Sequence, residues 1–320
     1  FPILYCKMHI RSTVIIVLFI TLAPSITHAM SPRILTRESW GANESMGIKI
    51  NSENSVEERA ENHNHSNSSS VSEKEKKCLE MRRIAPEDFE VRMINTQDKL
   101  GNDLIWPRRY SKKVKVIVVH HTGEKETPKS NSLSGIEKVR AIYKGHTQTN
   151  GWGDIGYHYL VDKDGKIYEG RAGGDNVVGA HVYCANVGTI SVAMIGNFQR
   201  RYPSEKQLSS LRWLLIELTN KYRIRPSGKT VFRGERISTI VTHRDLAATQ
   251  CAGRNVQRLM NSIRTTVAQR DYEKSILPKD KASSRISRRG TGKKTYEREI
   301  PRRVRDKVQN YLKKYGKPKR

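Results

Sequence analysis

The run Val114-Lys115-Val116-Ile117-Val118-Val119-His120-His121 decides the fold class. After Lys115 it is β-branched and apolar up to the histidines, the pattern of a strand buried on both faces of a sheet. Downstream, Ile136, Val139, Ile142 and Tyr143 recur at helical spacing and predict a helix over 134–147. Segments 157–161 and 166–169 flank Asp162-Lys163-Asp164-Gly165, a hairpin signal. Residues 189–195 read as a second buried strand. Ser204 with Gln207 three positions on is a capping-box signal. It opens a helix whose apolar face carries Leu208, Leu211, Leu214, Leu215 and Leu218. A short strand at 239–242 delivers His243, and a helix over 256–267 closes the unit. Strands interleaved with helices predict an α/β domain over 113–268: a central mixed β-sheet flanked by helices. The chain carries no internal repeat.

At 320 residues there is room for one good-sized domain plus extensions. Residues 30–50 read as an N-terminal segment of the globular unit, with 31–42 extended and ending in a turn. Residues 51–77 are dominated by Asn, Ser, Glu and Lys. Such a stretch buries too little surface to offset its ordering entropy, so a disordered insert is expected. Residues 78–112 form a mixed connecting segment, where Trp106-Pro107 indicates extended backbone. Residues 269–320 are a basic tail, which from 270 onward holds 19 Lys and Arg against 6 Asp and Glu. In it Ile300, Val304, Val308, Leu312 and Tyr315 share one helical face. That basic amphipathic pattern can lie on an anionic wall polymer or membrane surface, pack on its own domain, or remain a solvated tail.

The formal charge of +27 favours anionic partners and says nothing about fold. The N-terminus chooses among them. Numbering begins at Phe1, and Met8 is the expected start. A short basic stretch, an apolar run over 14–22, and Thr27 and Ala29 before Met30 read as a signal peptide over 1–29. The apolar run is short of the ~20 residues of a membrane span, and a retained anchor is the alternative. Export places the protein outside the cytoplasm, secreted or in the cell envelope, which argues against nucleic acid as partner despite the charge. Of four cysteines, Cys6 lies before or within the signal. If Cys251 binds metal, Cys78 and Cys184 either pair in an oxidising compartment or both stay free. Oligomeric state is not legible.

The chemistry is concentrated in His243-Arg244-Asp245-Leu246-Ala247-Ala248-Thr249-Gln250-Cys251. A neutral imidazole and a thiolate are both good zinc ligands, and a short loop can aim both at one ion. A third ligand stands at the strand end, His120. Three protein ligands leave one tetrahedral position for water, as in catalytic zinc sites. Each residue also has a plain reading: a lone His is a hydrogen-bonded core residue, as His121 is expected to be, and a lone Cys a small buried hydrophobe. Spacing alone leaves the two readings balanced.

Six motifs carry a resemblance: 116–122, Gly151-Trp152-Gly153-Asp154-Ile155-Gly156-Tyr157, Tyr168-Glu169-Gly170-Arg171, Gly179-Ala180-His181, Ile195-Gly196-Asn197-Phe198, and His243 to Cys251. Over 113–268 and 31–42 the chain resembles the peptidoglycan recognition protein family, which includes bacterial and phage zinc N-acetylmuramoyl-L-alanine amidases (amidase type 2). The segment 32–42 looks like that of actinobacterial-type members, and a bacterial secreted type is expected. The resemblance implies Zn²⁺ as cofactor, His120, His243 and Cys251 as its ligands, and Tyr157 as catalytic tyrosine. Thr249 matches a polar residue beside the metal in active members and would be the second catalytic residue, helping to orient water or the tetrahedral intermediate. The bond cleaved would be the amide joining the lactyl group of N-acetylmuramic acid to L-alanine of the peptidoglycan stem peptide. His146 and His181 match cleft residues of the family; Gly151 and Trp152 match a pair found with diaminopimelate stems. Arg171 would meet a stem carboxylate or cap a turn. Three departures stand out: Ala252 follows Cys251 where the family usually has proline, the usual small disulfide after the first His strand is missing, and the insert over 43–112 is long. The rival readings are a non-catalytic peptidoglycan-binding module and a surface-attachment protein whose working part is the tail.

Overall fold

The computed structural model describes residues 32–49, 72–174 and 176–276. Its elements in chain order are β1 (Ile34–Leu35), α1 (Arg37–Trp40), α2 (Glu73–Ile84), β2 (Val91–Gln97), β3 (Asp103–Ser111), β4 (Val116–His121), α3 (Pro128–Ser132), α4 (Gly135–Lys144), β5 (Tyr159–Val161), β6 (Ile167–Glu169), β7 (Thr189–Met194), α5 (Glu205–Tyr222), β8 (Lys229–Phe232), β9 (Glu235–Ser238), β10 (Ile240–Thr242) and α6 (Arg254–Ile276). Six strands form the central sheet in the order β1-β6-β5-β7-β4-β10. β4 runs parallel to both β7 and β10, and β5 pairs antiparallel with β6, so the sheet is mixed as expected.

Every residue of β4 and β7 is buried, because both faces of the sheet are covered. Side chains alternate across a strand, so the two faces carry different residues. Ile117 and Val119 of β4 and Ile190, Val192 and Met194 of β7 pack against Leu208, Leu211, Leu214 and Leu215 of α5 and Val256, Met260 and Ile263 of α6. Burying each such side chain stabilises by about 1.5–3 kcal/mol, which makes this the main core. Val116 and Val118 face the other way, with Val182, Phe232 and Val241.

That parity positions the site. His120 lies two residues beyond Val118 and shares its face; His121 shares the face of Val119 and packs near Phe198, ring centroids 6.1 Å apart. β10 pairs with β4 in the register Val241↔Val118 and Thr242↔Val119. His243, two beyond Val241, therefore emerges beside His120.

Two local expectations are altered. The Ser204 side chain caps α5 by accepting from the Gln207 N–H, but the Gln207 amide does not return to the cap. It is buried and donates to the Val161 and Ile195 carbonyls, joining helix to sheet. The second change concerns the insert, read as disordered through residue 77. The described part is helical from Glu73, capped by Ser72. α2 buries none of its residues, so composition carried no sign of it. It is tied down covalently instead, by a disulfide between Cys78 and Cys184 with Cα atoms 5.6 Å apart. The connecting segment 78–112 folds on into the antiparallel β2–β3 hairpin, where Trp106-Pro107 is extended backbone as expected. The Trp106 indole N–H donates to the Gly151 carbonyl at 2.6 Å.

The N-terminal segment docks as β1 on β6, with Trp40 fully buried and its indole N–H donating to the Glu169 carbonyl at 2.7 Å. Among the described residues no helix is long and apolar enough to cross a membrane. The signal peptide over 1–29, residues 51–71 of the insert and the tail beyond 276, with Ile300, Val304, Val308, Leu312 and Tyr315, lie outside the described residues.

Candidate metal centre and cleft

Three chain segments meet at the C-terminal end of β4. His120 comes from the strand, His243 from the turn that follows β10, and Cys251 from the loop before α6. One ligand atom from each lies within 4.8 Å of the others. The Cys251 Sγ sits 3.6 Å from His120 Nδ1, and the His120 and His243 rings are 4.8 Å apart. Zinc–sulfur and zinc–nitrogen bonds of about 2.3 and 2.0 Å at a tetrahedral angle put S and N about 3.5 Å apart. The donor set and this edge therefore fit such an ion. Cys251 Sγ also receives the His121 backbone N–H at 3.3 Å. The Thr249 hydroxyl accepts the Cys251 N–H at 3.3 Å, folding the loop that carries the thiol.

His121 does not join them. Its Nδ1 accepts the Phe198 N–H at 3.1 Å on the opposite side of the sheet, so it is the hydrogen-bonded core residue expected.

Burial dominates the electrostatics. It lowers the pKa values of His120 and His243 below the ordinary imidazole range, so both present neutral rings. Burial pushes the Cys251 thiol up to about 11, against the pull of the His121 N–H. A bound cation reverses that shift, since thiolate is the form that ligates.

Tyr157 faces the cluster, its ring 5.3 Å from that of His120. Burial, then the nearby Cys251, raises its phenol and keeps it a hydrogen-bond donor at neutral pH. Its loop is held by Asp154, which accepts from the Ile155 and Ala172 N–H groups and pairs with Arg37 at 3.0 Å. Arg37 also bonds the Glu44 carboxylate and the Gly170 carbonyl. The N-terminal segment thus holds the tyrosine loop in place.

The remaining cleft residues take up distinct places. His146 stands in a π-helical turn, Gly145–Thr149, that extends α4; such turns are frequent at functional sites. Its Nδ1 accepts the Gly156 N–H at 3.0 Å, so in the neutral ring the proton is on Nε2. The ring lies 4.8 Å from Trp152 and 5.5 Å from Tyr157. His146 and Tyr157 line an open depression with Thr122, Ile142 and Asn150. Gly151 has φ +66°, the left-handed region that favours glycine, and presents Trp152 half-exposed at the rim. Arg171 donates to the Ile155 carbonyl at 3.1 Å and lines a second, small pocket with Trp106, Arg108 and Trp152. His181 is buried beside His120, with both ring nitrogens engaged.

His158, Thr189 and Ser191 were not singled out from sequence. His158 lies behind His181, ring centroids 5.6 Å apart, held by Ser191 and the Val177 carbonyl. The signal available was two hydroxyls at alternate positions of an otherwise apolar strand, which places both on the His120 face of β7.

Burial of these imidazoles has a pH consequence. His146 and His158 are lowered to about 4 from an ordinary 6.5, chiefly by desolvation. The unfolded chain therefore binds protons first as pH falls below 6.5, and the stability present above 6.5 is lost towards 4. We expect the melting temperature of the metal-free protein to fall by several degrees between pH 7 and about pH 4.5. Circular dichroism checks this, and a flat profile would contradict it.

The family model described as N-acetylmuramoyl-L-alanine amidase matches residues 110–254. Peptidoglycan-recognition protein SC2 of Drosophila melanogaster is 32% identical over 151 residues, 46% of this chain and 71% of that protein. The peptidoglycan recognition protein of Bombyx mori is 37% identical over 158 residues, 47% of this chain and 68% of that protein. The human N-acetylmuramoyl-L-alanine amidase is 33% identical over 138 residues, 43% of this chain and 22% of that protein. These three relatives are animal proteins. The matched stretch contains the strand-end histidine, the tyrosine loop and the His-to-Cys loop, and through it the chain belongs to the peptidoglycan recognition protein and N-acetylmuramoyl-L-alanine amidase family.

Proposed function

We propose that this chain is a zinc-dependent N-acetylmuramoyl-L-alanine amidase, cleaving the amide between the lactyl group of N-acetylmuramic acid and L-alanine of the peptidoglycan stem. The observation that carries the proposal is the convergence of Cys251 Sγ with the nitrogens of His120 and His243 in front of Tyr157. A binding module needs a cleft but no thiol aimed at two imidazoles.

His120, His243 and Cys251 would hold the metal and leave one position free for solvent or substrate. When bound, zinc supplies Lewis acidity, which activates water at neutral pH and polarises a carbonyl. The protein's own groups do the rest. Tyr157, kept protonated by burial, donates to the oxygen on which negative charge develops. His146 offers its Nε2–H to the stem peptide, and Trp152 supplies an apolar wall. Arg171, which has no salt bridge among the described residues, supplies positive charge for a stem carboxylate. Thr249 orders the Cys251 loop.

Chelator is expected to abolish release of soluble muropeptides from purified peptidoglycan, and zinc to restore it. Equal release with and without chelator would exclude the zinc enzyme. Binding without release in either condition would favour the non-catalytic module. Tyr157→Phe is expected to lower kcat by about 10²–10³-fold on a soluble muropeptide with zinc content unchanged. A loss of zinc in that variant would instead make Tyr157 a structural support.

We also propose that the protein works outside the cytoplasm, in or near the cell envelope, with peptidoglycan as partner and the basic tail as an attachment device. The disulfide supports an oxidising compartment. Removing 277–320 tests the tail: binding to whole wall should drop while turnover of soluble muropeptide persists.

A further inference from the structure

Behind His120 runs a chain of hydrogen bonds whose donors and acceptors are ordered by the shortest contacts of one hydroxyl. It starts at the Thr189 hydroxyl, which lies 2.9 Å from the carbonyls of Ala185 and Asn186. Carbonyls only accept, and both lie closer than the imidazole nitrogen at 3.3 Å, so the hydroxyl's single proton goes to one of them. Its remaining neighbour, His181 Nε2 at 3.3 Å, must then be the donor. A neutral imidazole carries one proton, so His181 Nδ1 is bare and accepts. Its partner is His120 Nε2 at 3.0 Å, which must carry the proton. His120 is thereby left with an unprotonated Nδ1, and Nδ1 is the atom 3.6 Å from Cys251 Sγ. No carboxylate bonds to either ring among the described residues, so nothing nearby favours a second proton on His181.

We infer that His181, backed by Thr189, is a positioning residue that fixes the tautomer of His120 and presents its Nδ1 lone pair to the metal. The inference rests on the zinc reading above and assigns His181 a role beyond that of a cleft residue. Ligating histidines commonly bond through the other ring nitrogen to an orienting partner, usually a carboxylate or carbonyl. Here a second imidazole fills that place. Its rigidity comes from three directions. Asn186 Oδ1 accepts the backbone N–H groups of His181 and Val182 at 2.8 and 2.9 Å. Cys184, three residues on, is tied to α2 by the disulfide. The His158 ring closes the far side edge-on.

The test uses the full chain and three variants. His181→Leu removes the acceptor, Thr189→Val removes the terminus of the chain at constant shape, and His181→Asn keeps an acceptor near the Nδ1 position. Zinc affinity, read by competition with a chromogenic chelator, should fall about 10–100-fold for His181→Leu and less for Thr189→Val. His181→Asn should recover most of the loss. Nitrogen-15 NMR of the histidine rings in metal-free protein gives a readout independent of zinc and of turnover. His120 should be the Nε2–H tautomer in the native chain and a mixture in Thr189→Val. Wild-type His120 protonated at Nδ1, or unchanged zinc affinity in His181→Leu, would overturn the inference. If instead the NMR result holds and the native chain takes up no zinc, the zinc reading fails while the tautomer assignment stands.

Discussion

Replacing Cys251 by serine is expected to abolish hydrolysis while leaving wall binding intact. A neutral hydroxyl is a poor substitute for thiolate at a borderline-soft cation, so the three-ligand grip becomes a two-ligand one. Without the metal, the water to be activated returns from a pKa near 7 towards 15.7. Turnover should therefore drop by at least about 10³-fold, close to the limit of a muropeptide assay. The cleft is built from other segments: His146 on its π-helical turn, Trp152 at the rim and Arg171 after β6. None of these contacts passes through Cys251, so sedimentation with insoluble peptidoglycan should be unchanged. Elemental analysis belongs in the same experiment. A Cys251→Ser protein that lacks zinc and still releases muropeptides at the native rate would remove the basis of the proposed function. His243→Ala should behave like Cys251→Ser, since it takes a ligand from the same set.

The largest effect on stability is expected from the disulfide. Cys78 and Cys184 are 106 residues apart, and closing a loop of that length restricts the unfolded chain by about 4–5 kcal/mol. A domain of this size shifts its melting temperature by roughly 2–4 °C per kcal/mol, so Cys78→Ser should melt about 10–15 °C lower. Reductant should lower the native protein to the same value and leave the variant unaffected. A variant that melts with the native protein would mean that α2 constrains nothing. Because α2 buries no side chain, its helix should fray once the bond is gone, and amide exchange over 73–84 should become fast.

How much of this was legible depends on what kind of signal each element leaves. β4, β7 and the apolar face of α5 were read correctly because burial imposes periodicity, and periodicity is visible in one dimension. The candidate ligand set was legible as residue types, a strand-end His and a His-to-Cys loop, with the resemblance supplying the choice among them. α2 was missed from 73 onward because its stability comes from a bond to a residue 106 positions away, which composition cannot display. The Gln207 amide was expected at the helix cap and instead bridges to Val161 and Ile195, partners brought close only by the sheet. His181 was read as a cleft residue because its motif matched one; its contact with His120 Nε2 follows from how the 181–189 loop is anchored, which the motif does not display.

By itself, then, the sequence determined the alternation of buried strands and amphipathic helices, the parity that separates His120 from His121, and the presence of two imidazoles and a thiol in the chain. Those are local consequences of side-chain period and chemistry. Tertiary structure alone decided that the Cys251 sulfur stands 3.6 Å from His120 Nδ1, that His181 meets His120 Nε2, and that Cys78 reaches Cys184. Each is a contact between segments more than 60 residues apart. Strand register and loop anchoring set such distances, and neither leaves a mark in residue spacing.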